Sequence, residues 1–211
     1  DPAVWRASSA HWSPEREQAM RTASGEAAFA TQWLNRWPAA GVLPYGRELA
    51  RLLPPPTERE WTGPVALALE SDPEGRWGMA ASDGAHVETS AADSLDRALV
   101  WLAGRSVRAD VLLVHSAVLA RIPADFPVAA RAVPEKDNQA ATAVLRDVVS
   151  ARRLSHWGIL AESLPGVRTA GPKGHAYISG NRSKGGVAVA KAAAWAVSNR
   201  VISPVAAPAI L

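Results

Sequence analysis

The chain has 211 residues, with a hydrophobic fraction of 48%, a charged fraction of 20% and a formal net charge of +3. This length allows one main domain with an appendage, and no apolar run reaches the roughly 18 residues that a membrane span needs. We therefore expect a soluble protein without a membrane partner. The absence of cysteine excludes disulfides, thiolate catalysis and Cys-based zinc sites. The mild positive charge permits nucleic-acid binding but does not require it.

The first part of the chain is predicted to be helical. Ser13 precedes Pro14 and Glu15, and this order is a helix start, because serine caps the first turn and proline fits the first helical position. Apolar residues at helical spacing follow further along the chain. We predict helices over residues 14–23 and 25–37.

A proline-rich segment marks the predicted domain boundary. The stretch LLPPPTEREW, residues 52–61, contains three consecutive prolines, which are stiff and cannot continue a helix. We therefore predict a helical linker segment over residues 1–62 and a main domain over residues 63–211. The sequence starts with DPAVW and has no initiator methionine, so we expect it to be part of a longer chain.

The main domain begins with three predicted strands over residues 65–70, 76–81 and 86–90. The turn signals SDPEG and SDG separate them, which predicts a β-meander. A helix is predicted over residues 94–103. The run VLLVH after Asp110 is short, continuous and apolar, as is typical of a buried strand.

Helices alternate with strands in the rest of the domain. The stretch SAVLARI predicts a short helical segment, VAARAV a further strand, and residues 135–153 a long helix with apolar positions at helical spacing. VRTAG and HAYIS predict a short hairpin around PKG, and residues 187–198 predict an alanine-rich final helix. An antiparallel triplet followed by helices and further strands is the element order of ribonuclease-H-like folds. The predicted fold class is therefore α/β, a mixed sheet with flanking helices.

Three stretches carry a resemblance to a known family. HWSPEREQAM, AAFATQWLNRWP and AVLRDVVSARRLSHWG occur in this order. Together they resemble the C-terminal part of bacteriophage terminase large subunits, the DNA-packaging motors of tailed phages, particularly those of actinobacterial phages and prophages. In that family a nuclease domain of ribonuclease-H-like fold follows an ATPase domain. The Gly-rich ATP-binding loop that ends in Gly-Lys-Ser or Gly-Lys-Thr is absent from this sequence, so no ATPase activity is expected of it.

The resemblance implies an endonuclease that cuts concatemeric viral DNA with two Mg²⁺ or Mn²⁺ ions held by carboxylates. One ion activates water and the other stabilises the leaving oxygen, and both prefer oxygen ligands. The positions that match the family's aspartates are Glu70, His115 and His175, and Asp147 is a further candidate ligand. Two imidazoles in place of two aspartates remove two negative charges. We therefore expect Mg²⁺ affinity to fall steeply.

The resemblance also implies partners. Double-stranded DNA, a terminase small subunit and a portal are expected, with the host cytoplasm as the location. The candidate DNA-binding residues are Lys173, Arg182 and Lys184, and the last two lie in the glycine-flanked stretch GNRSKGG. Such a stretch is suited to lie along phosphates, where each neutralised phosphate makes binding salt-dependent. An ordinary solvated loop explains the same residues equally well.

The candidate site residues have structural interpretations as well. Glu70 fits a solvated residue at a strand end, while Asp72 and Glu74 fit an ordinary turn. His115 fits a buried or half-buried histidine, and His175 fits an exposed hairpin residue. Three hypotheses follow: a metal-dependent nuclease domain, a catalytically degenerate DNA-binding module that has lost its metal site, and an unrelated α+β protein with the same order of elements.

Overall fold

The computed structural model describes residues 13–24, 45–171, 176–180, 182–183 and 185–202. The chain divides into two compact units, Asp1–Leu43 and Pro44–Leu211. In the first unit, helix α1 (Pro14–Ser24) has two glutamates in its first turn, which confirms the first predicted helix. The helix predicted over residues 25–37 lies outside the described residues. Within the described ranges, no helix is long and apolar enough to cross a membrane.

The second unit is built on a six-stranded mixed sheet. Its strands are β1 (Val65–Ser71), β2 (Trp77–Ser82), β3 (His86–Ala92), β4 (Ala109–Val114), β5 (Ala130–Ala132) and β6 (Ser155–Gly158). The spatial order is β5-β4-β1-β2-β3-β6. The first three strands are antiparallel neighbours, which confirms the predicted meander. β4 runs parallel to β1, β5 parallel to β4, and β6 parallel to β3.

Helices pack on both faces of this sheet. They are α2 (Tyr45–Leu52), α3 (Leu95–Ala103), α4 (Ser116–Leu119), α5 (Glu135–Ser150), α6 (Leu160–Ser163) and α7 (Val187–Ile202). A separate ladder pairs β7 (Thr169–Ala170) with β8 (Tyr177–Ile178) in antiparallel fashion. This ladder confirms the predicted hairpin.

The two faces of β1 carry side chains of different size. The face toward α3 carries three large apolar side chains, those of Val65, Leu67 and Leu69. The opposite face carries Ala66 and Ala68, which pack against α7. On the neighbouring strand, a Cβ added to Gly78 would lie 2.2 Å from backbone atoms of Ala188 and Val189. Because small residues line this face, the backbone of α7 approaches the sheet closely and its position is fixed.

Three elements, α2, β6 and α6, are not predicted from the sequence. Tyr45 and Leu49 of α2 are buried in the core, and the hydroxyl of Tyr45 donates a hydrogen bond to the carbonyl oxygen of Thr142 on α5 at 3.0 Å. The second compact unit, Pro44–Leu211, includes α2. β6 is a four-residue strand that extends the sheet beyond β3.

Two buried histidines lie at the β3–β6 edge, beside the proline-rich segment. Nδ1 of His86 is 3.0 Å from Oγ of Ser155, and the His86 ring lies 5.1 Å from the ring of Trp61. Nε2 of His156 is 2.9 Å from the carbonyl oxygen of Pro54. Desolvation by burial lowers the pKa of both imidazoles. Both histidines therefore have a structural role at this edge of the sheet.

We expect the free energy of unfolding to decrease as the pH falls below about 6.5, the ordinary histidine pKa. The folded-state pKa of both rings is lowered, so the unfolded chain binds protons first, and stability is lost as the pH falls through the folded values. Around His86, Asp83 and Glu88 favour protonation whereas Arg59 and His156 oppose it. Urea unfolding at about pH 7.5 and 5.5 tests this, and the double variant His86→Gln/His156→Gln should show the smaller pH effect. An equal pH effect in the wild type and in the double variant would show that His86 and His156 do not cause the loss of stability.

Candidate functional site

A cleft of about 640 Å³ lies at the carboxyl ends of β1 and β4. The two strands are parallel neighbours, so the residues that follow them meet at one edge of the sheet, where open α/β sheets bind ligands. The first turns of α5 and α7 and strand β8 form the other walls. Apart from hydroxyl groups, the polar side chains that line the cleft are those of Glu70, Asp72, His115, Glu135, Asn138 and Lys191.

Glu70 is buried at this edge, with 4% of its surface exposed. Its Oε2 lies 3.5 Å from Nζ of Lys191 on α7, and its Oε1 accepts a hydrogen bond from the backbone N–H of Ser71 at 2.9 Å. A buried carboxylate requires a counter-charge, and Lys191 supplies it. Glu70 is therefore not the solvated strand-end residue of the structural interpretation.

His115 lies at the mouth of the same cleft and is exposed. Its Nδ1 accepts a hydrogen bond from the backbone N–H of Ala117 at 3.2 Å, and the side chain thereby caps α4. The accepting nitrogen carries no proton, so the neutral ring bears its proton on Nε2. The structural interpretation of His115 as a buried or half-buried residue is wrong, because β4 ends at Val114 and the chain then turns outward.

The carboxylates that follow Glu70 belong to a turn. Oδ1 of Asp72 accepts hydrogen bonds from the backbone N–H groups of Glu74 and Arg76 at 3.0 and 2.9 Å. Glu74 lies 3.8 Å from Arg76, and both side chains are well exposed, so this pair contributes little to stability. The turn interpretation of Asp72 and Glu74 is confirmed.

The remaining candidate residues lie in different places. Asp147 is exposed on α5, about 18 Å along the helix axis from Glu135 at the cleft. Arg182 is exposed in the loop before α7. The other three candidates, His175, Lys173 and Lys184, lie outside the described residues.

Three residues at the cleft are not singled out as site residues by the sequence. Lys191 is the one charged residue among the first ten positions of α7, and a single charge in such an apolar helix is a signal that could have indicated its role. Glu135 and Asn138 lie one turn apart at the start of α5, and polar residues are common at such positions. Their sequence context gives no comparable signal.

The described side chains do not fit a site for two divalent ions. In residues 45–171 and the shorter described segments, no group of three or more His, Cys, Asp or Glu side chains is placed to hold a metal. Glu70 is paired with an ammonium group, and His115 offers an uncharged nitrogen. Glu70 and His115 on their own carry too little negative charge for two hard dications, which prefer oxygen ligands. With Asp72, Glu135, Asn138 and Lys191 they line a polar cleft.

No protein-family model and no curated protein matches the sequence. Among solved structures, the large terminase of bacteriophage HK97 matches with a TM-score of 0.51 and 14% identity, over 94% of this chain and 54% of that chain. The chain has the ribonuclease-H-like fold of large-terminase nuclease domains. The fold class predicted from the sequence is therefore confirmed. The chain spans about half the length of the HK97 large terminase.

Two further structural neighbours are also phage terminases. The nuclease domain of the large terminase subunit gp2 of bacterial virus Sf6 matches with a TM-score of 0.48 and 10% identity, over 72% of this chain and 96% of that chain. The large terminase of a thermophilic bacteriophage matches with a TM-score of 0.48 and 8% identity, over 92% of this chain and 53% of that chain. A mutant of the Sf6 nuclease domain was determined with manganese and beta-thujaplicinol.

Proposed function

We propose that the chain is the nuclease-fold part of a phage DNA-packaging terminase large subunit and that its cleft binds the backbone of double-stranded DNA. One observation carries the proposal. Glu70 and His115, which match the aspartate positions of that family, lie at the adjoining ends of parallel strands and line one cleft. The proposal implies a terminase small subunit and a portal as protein partners, and an actinobacterial phage or prophage as the source. It places the protein in the host cytoplasm.

The proposal has two forms, which differ in whether DNA is cut. In one form, Glu70, His115 and His175 hold Mg²⁺ or Mn²⁺ and the chain is an endonuclease. In the other form, the chain keeps the fold and the cleft and binds DNA without cutting it. The contact between Glu70 and Lys191 favours the second form, because the ammonium group already provides the positive charge that a metal ion would bring.

A plasmid-nicking assay and a DNA-binding assay distinguish the two forms. We expect the chain to bind duplex DNA with an affinity that falls roughly 40-fold between about 50 and 200 mM salt, if three phosphates are neutralised. In the presence of Mg²⁺ or Mn²⁺, we expect the wild-type chain to nick the plasmid no more than a Glu70→Gln variant does. The matched control is Glu74→Gln, a carboxylate of the adjacent turn that is exposed.

The nicking and binding results show which form of the proposed function is correct, or whether both are wrong. Nicking by the wild type and by Glu74→Gln, but not by Glu70→Gln, would establish the endonuclease form. Equal nicking by all three proteins would indicate a contaminating nuclease. A failure of the wild-type chain to bind duplex DNA at low salt would contradict the proposed function in both forms.

A further inference from the structure

Asn138 is held rigidly where the first turn of α5 borders the cleft. Its side-chain Oδ1 accepts a hydrogen bond from the indole Nε1 of Trp195 on α7, and Trp195 is 3% exposed. Its backbone carbonyl accepts a hydrogen bond from Oγ1 of Thr142 at 2.7 Å. The same Thr142 Oγ1 accepts from the backbone N–H of Ile178 in β8. Asn138 is therefore connected to α7 and β8, which form two of the other walls of the cleft.

The contact with Trp195 determines which way the Asn138 amide points. An indole N–H can only donate a hydrogen bond, so the amide atom that faces it must be the oxygen, and the usual ambiguity between the two amide atoms does not arise. Nδ2 is then on the other side of the amide group. In the described part of the chain, Nδ2 of Asn138 donates to no protein atom. Asn138 lines the cleft whereas Trp195 does not, so Nδ2 is the amide atom that remains available to a ligand in the cleft.

One face of α7 anchors two polar groups of the cleft. Lys191 and Trp195 are four residues apart on α7 and therefore lie on the same side of the helix. Lys191 contacts Glu70, and Trp195 contacts Asn138. The wall formed by these residues combines a carboxylate that is neutralised by its partner with a neutral donor whose N–H bonds are free. These side chains together carry no net charge and offer N–H donors to an oxygen atom of a ligand, in a cleft that the carboxylates of Asp72 and Glu135 also line.

We propose that Nδ2 of Asn138 donates a hydrogen bond to a non-bridging phosphate oxygen of the bound DNA backbone, with Trp195 as its positioning residue. This inference rests on the proposed DNA-binding function. Side-chain amides commonly contact phosphates, and such contacts set the orientation of the protein without reading the sequence. Because the amide is neutral, it releases no counterions. Its loss should weaken binding without changing the salt dependence, which distinguishes it from a lysine or arginine contact.

Binding of the full chain to two duplexes of equal length and unrelated sequence tests the inference, with each affinity measured over a salt series. We expect Asn138→Ala to weaken binding to both duplexes by about tenfold, as for a hydrogen bond to a charged group. Asn138→Asp should weaken it at least as much, because a carboxylate repels phosphate while its oxygen still accepts from Trp195. Trp195→Phe keeps the aromatic ring but frees the amide to rotate, so it should weaken binding less. The slope of affinity against salt should stay that of the wild type for Asn138→Ala and Trp195→Phe.

The matched control is Gln139→Ala, the next residue of α5, which does not line the cleft and should leave binding unchanged. Asn138→Asp is expected to fold, because an acidic residue is favourable in the first turn of a helix. If Asn138→Ala is unstable, the DNA affinity of Asn138→Asp tests the inference instead. Wild-type affinity in folded Asn138→Asp would overturn the inference while leaving DNA binding intact. A shallower salt slope in Asn138→Ala would overturn it as well. Absence of binding by the wild type would instead refute the proposed function.

Discussion

Gly78→Ala is expected to lower the free energy of unfolding by about 3 kcal/mol. A methyl group at this position would lie 2.2 Å from the carbonyl carbon of Ala188 and the backbone nitrogen of Val189. Both atoms belong to the backbone of α7, so no side-chain rotation can relieve the clash and the whole helix must move. Ala usually suits a strand interior better than Gly, but that small gain is much less than the cost of moving a helix whose inner face is buried.

Urea or thermal unfolding of the purified chain measures this effect. The matched control is Gly63→Ala, where an added Cβ would have no atom within 4 Å, and we expect a change within about 0.5 kcal/mol. Gly78 is also the cross-strand neighbour of Glu70. A shift of α7 at this point therefore displaces Lys191, and the folded fraction of Gly78→Ala should bind DNA more weakly. Equal stability of Gly78→Ala and Gly63→Ala would show that α7 does not approach the sheet so closely.

The strands of the meander could be predicted because their signals are local. In GPVALALE, large and small apolar residues alternate, and the structure places the large ones toward α3 and the small ones toward α7. β1 is predicted over residues 65–70 and extends over Val65–Ser71. The turn residues that end it also carry their own hydrogen bonds, such as those of Asp72. Periodicity and turn chemistry are properties of neighbouring residues, so the sequence alone reveals them.

Among the elements that were not predicted, β6 depends on distant contacts. β6 has the sequence SHWG, which is too short and too polar to carry a strand pattern, and it forms because β3 offers it a partner. Gly158 illustrates this dependence, since its φ is +84° and an added Cβ would lie 1.9 Å from the carbonyl oxygen of Thr89. Helix α2 differs from β6, because its eight residues carry a local pattern: Tyr45, Leu49 and Leu52 have helical spacing, and Glu48 lies in the first turn. Its sequence therefore contains the signal for a helix, whereas tertiary packing stabilises β6 and propensity alone does not reveal it.

In the candidate site, too, some features could be predicted from the sequence and others depend on distant contacts. The family resemblance implies that Glu70 and His115 share one site. They line one cleft because Glu70 lies near the end of β1, His115 follows β4, and parallel neighbours end at the same edge. The ion pair between Glu70 and Lys191 joins residues 121 positions apart. The contact that orients Asn138 spans 57 positions. Such pairs depend on the rotation of α7 about its axis, which no local pattern specifies. The sequence can therefore locate the cleft, but it cannot assign the electrostatic partners in it.

Lys191→Met is expected to destabilise the chain by about 3 kcal/mol, because it leaves the buried carboxylate of Glu70 without a counter-charge. Glu70→Gln should cost less, about 1 kcal/mol, since the Lys191 side chain is 22% exposed and its ammonium group can turn toward water. The double variant Glu70→Gln/Lys191→Met should be more stable than Lys191→Met alone, because it contains no buried charge. Urea unfolding of the four proteins gives the coupling energy directly.

The exposed pair of Arg97 and Asp93 provides the control for this cycle. Its side chains are 74% and 70% exposed, so Arg97→Met should change stability by less than about 0.5 kcal/mol. If Lys191→Met lowers the free energy of unfolding as little as Arg97→Met does, then Lys191 does not neutralise Glu70.

The same variants distinguish the two forms of the proposed function. A carboxylate that has lost its lysine partner is a stronger ligand for a cation. Mn²⁺ should therefore raise the melting temperature of Lys191→Met more than that of the wild type, by the linkage between binding and stability. If Mn²⁺ stabilises the wild type as much as Lys191→Met, and Glu70→Gln not at all, then Glu70 binds metal despite its lysine. In that case the endonuclease form becomes the better explanation of the cleft.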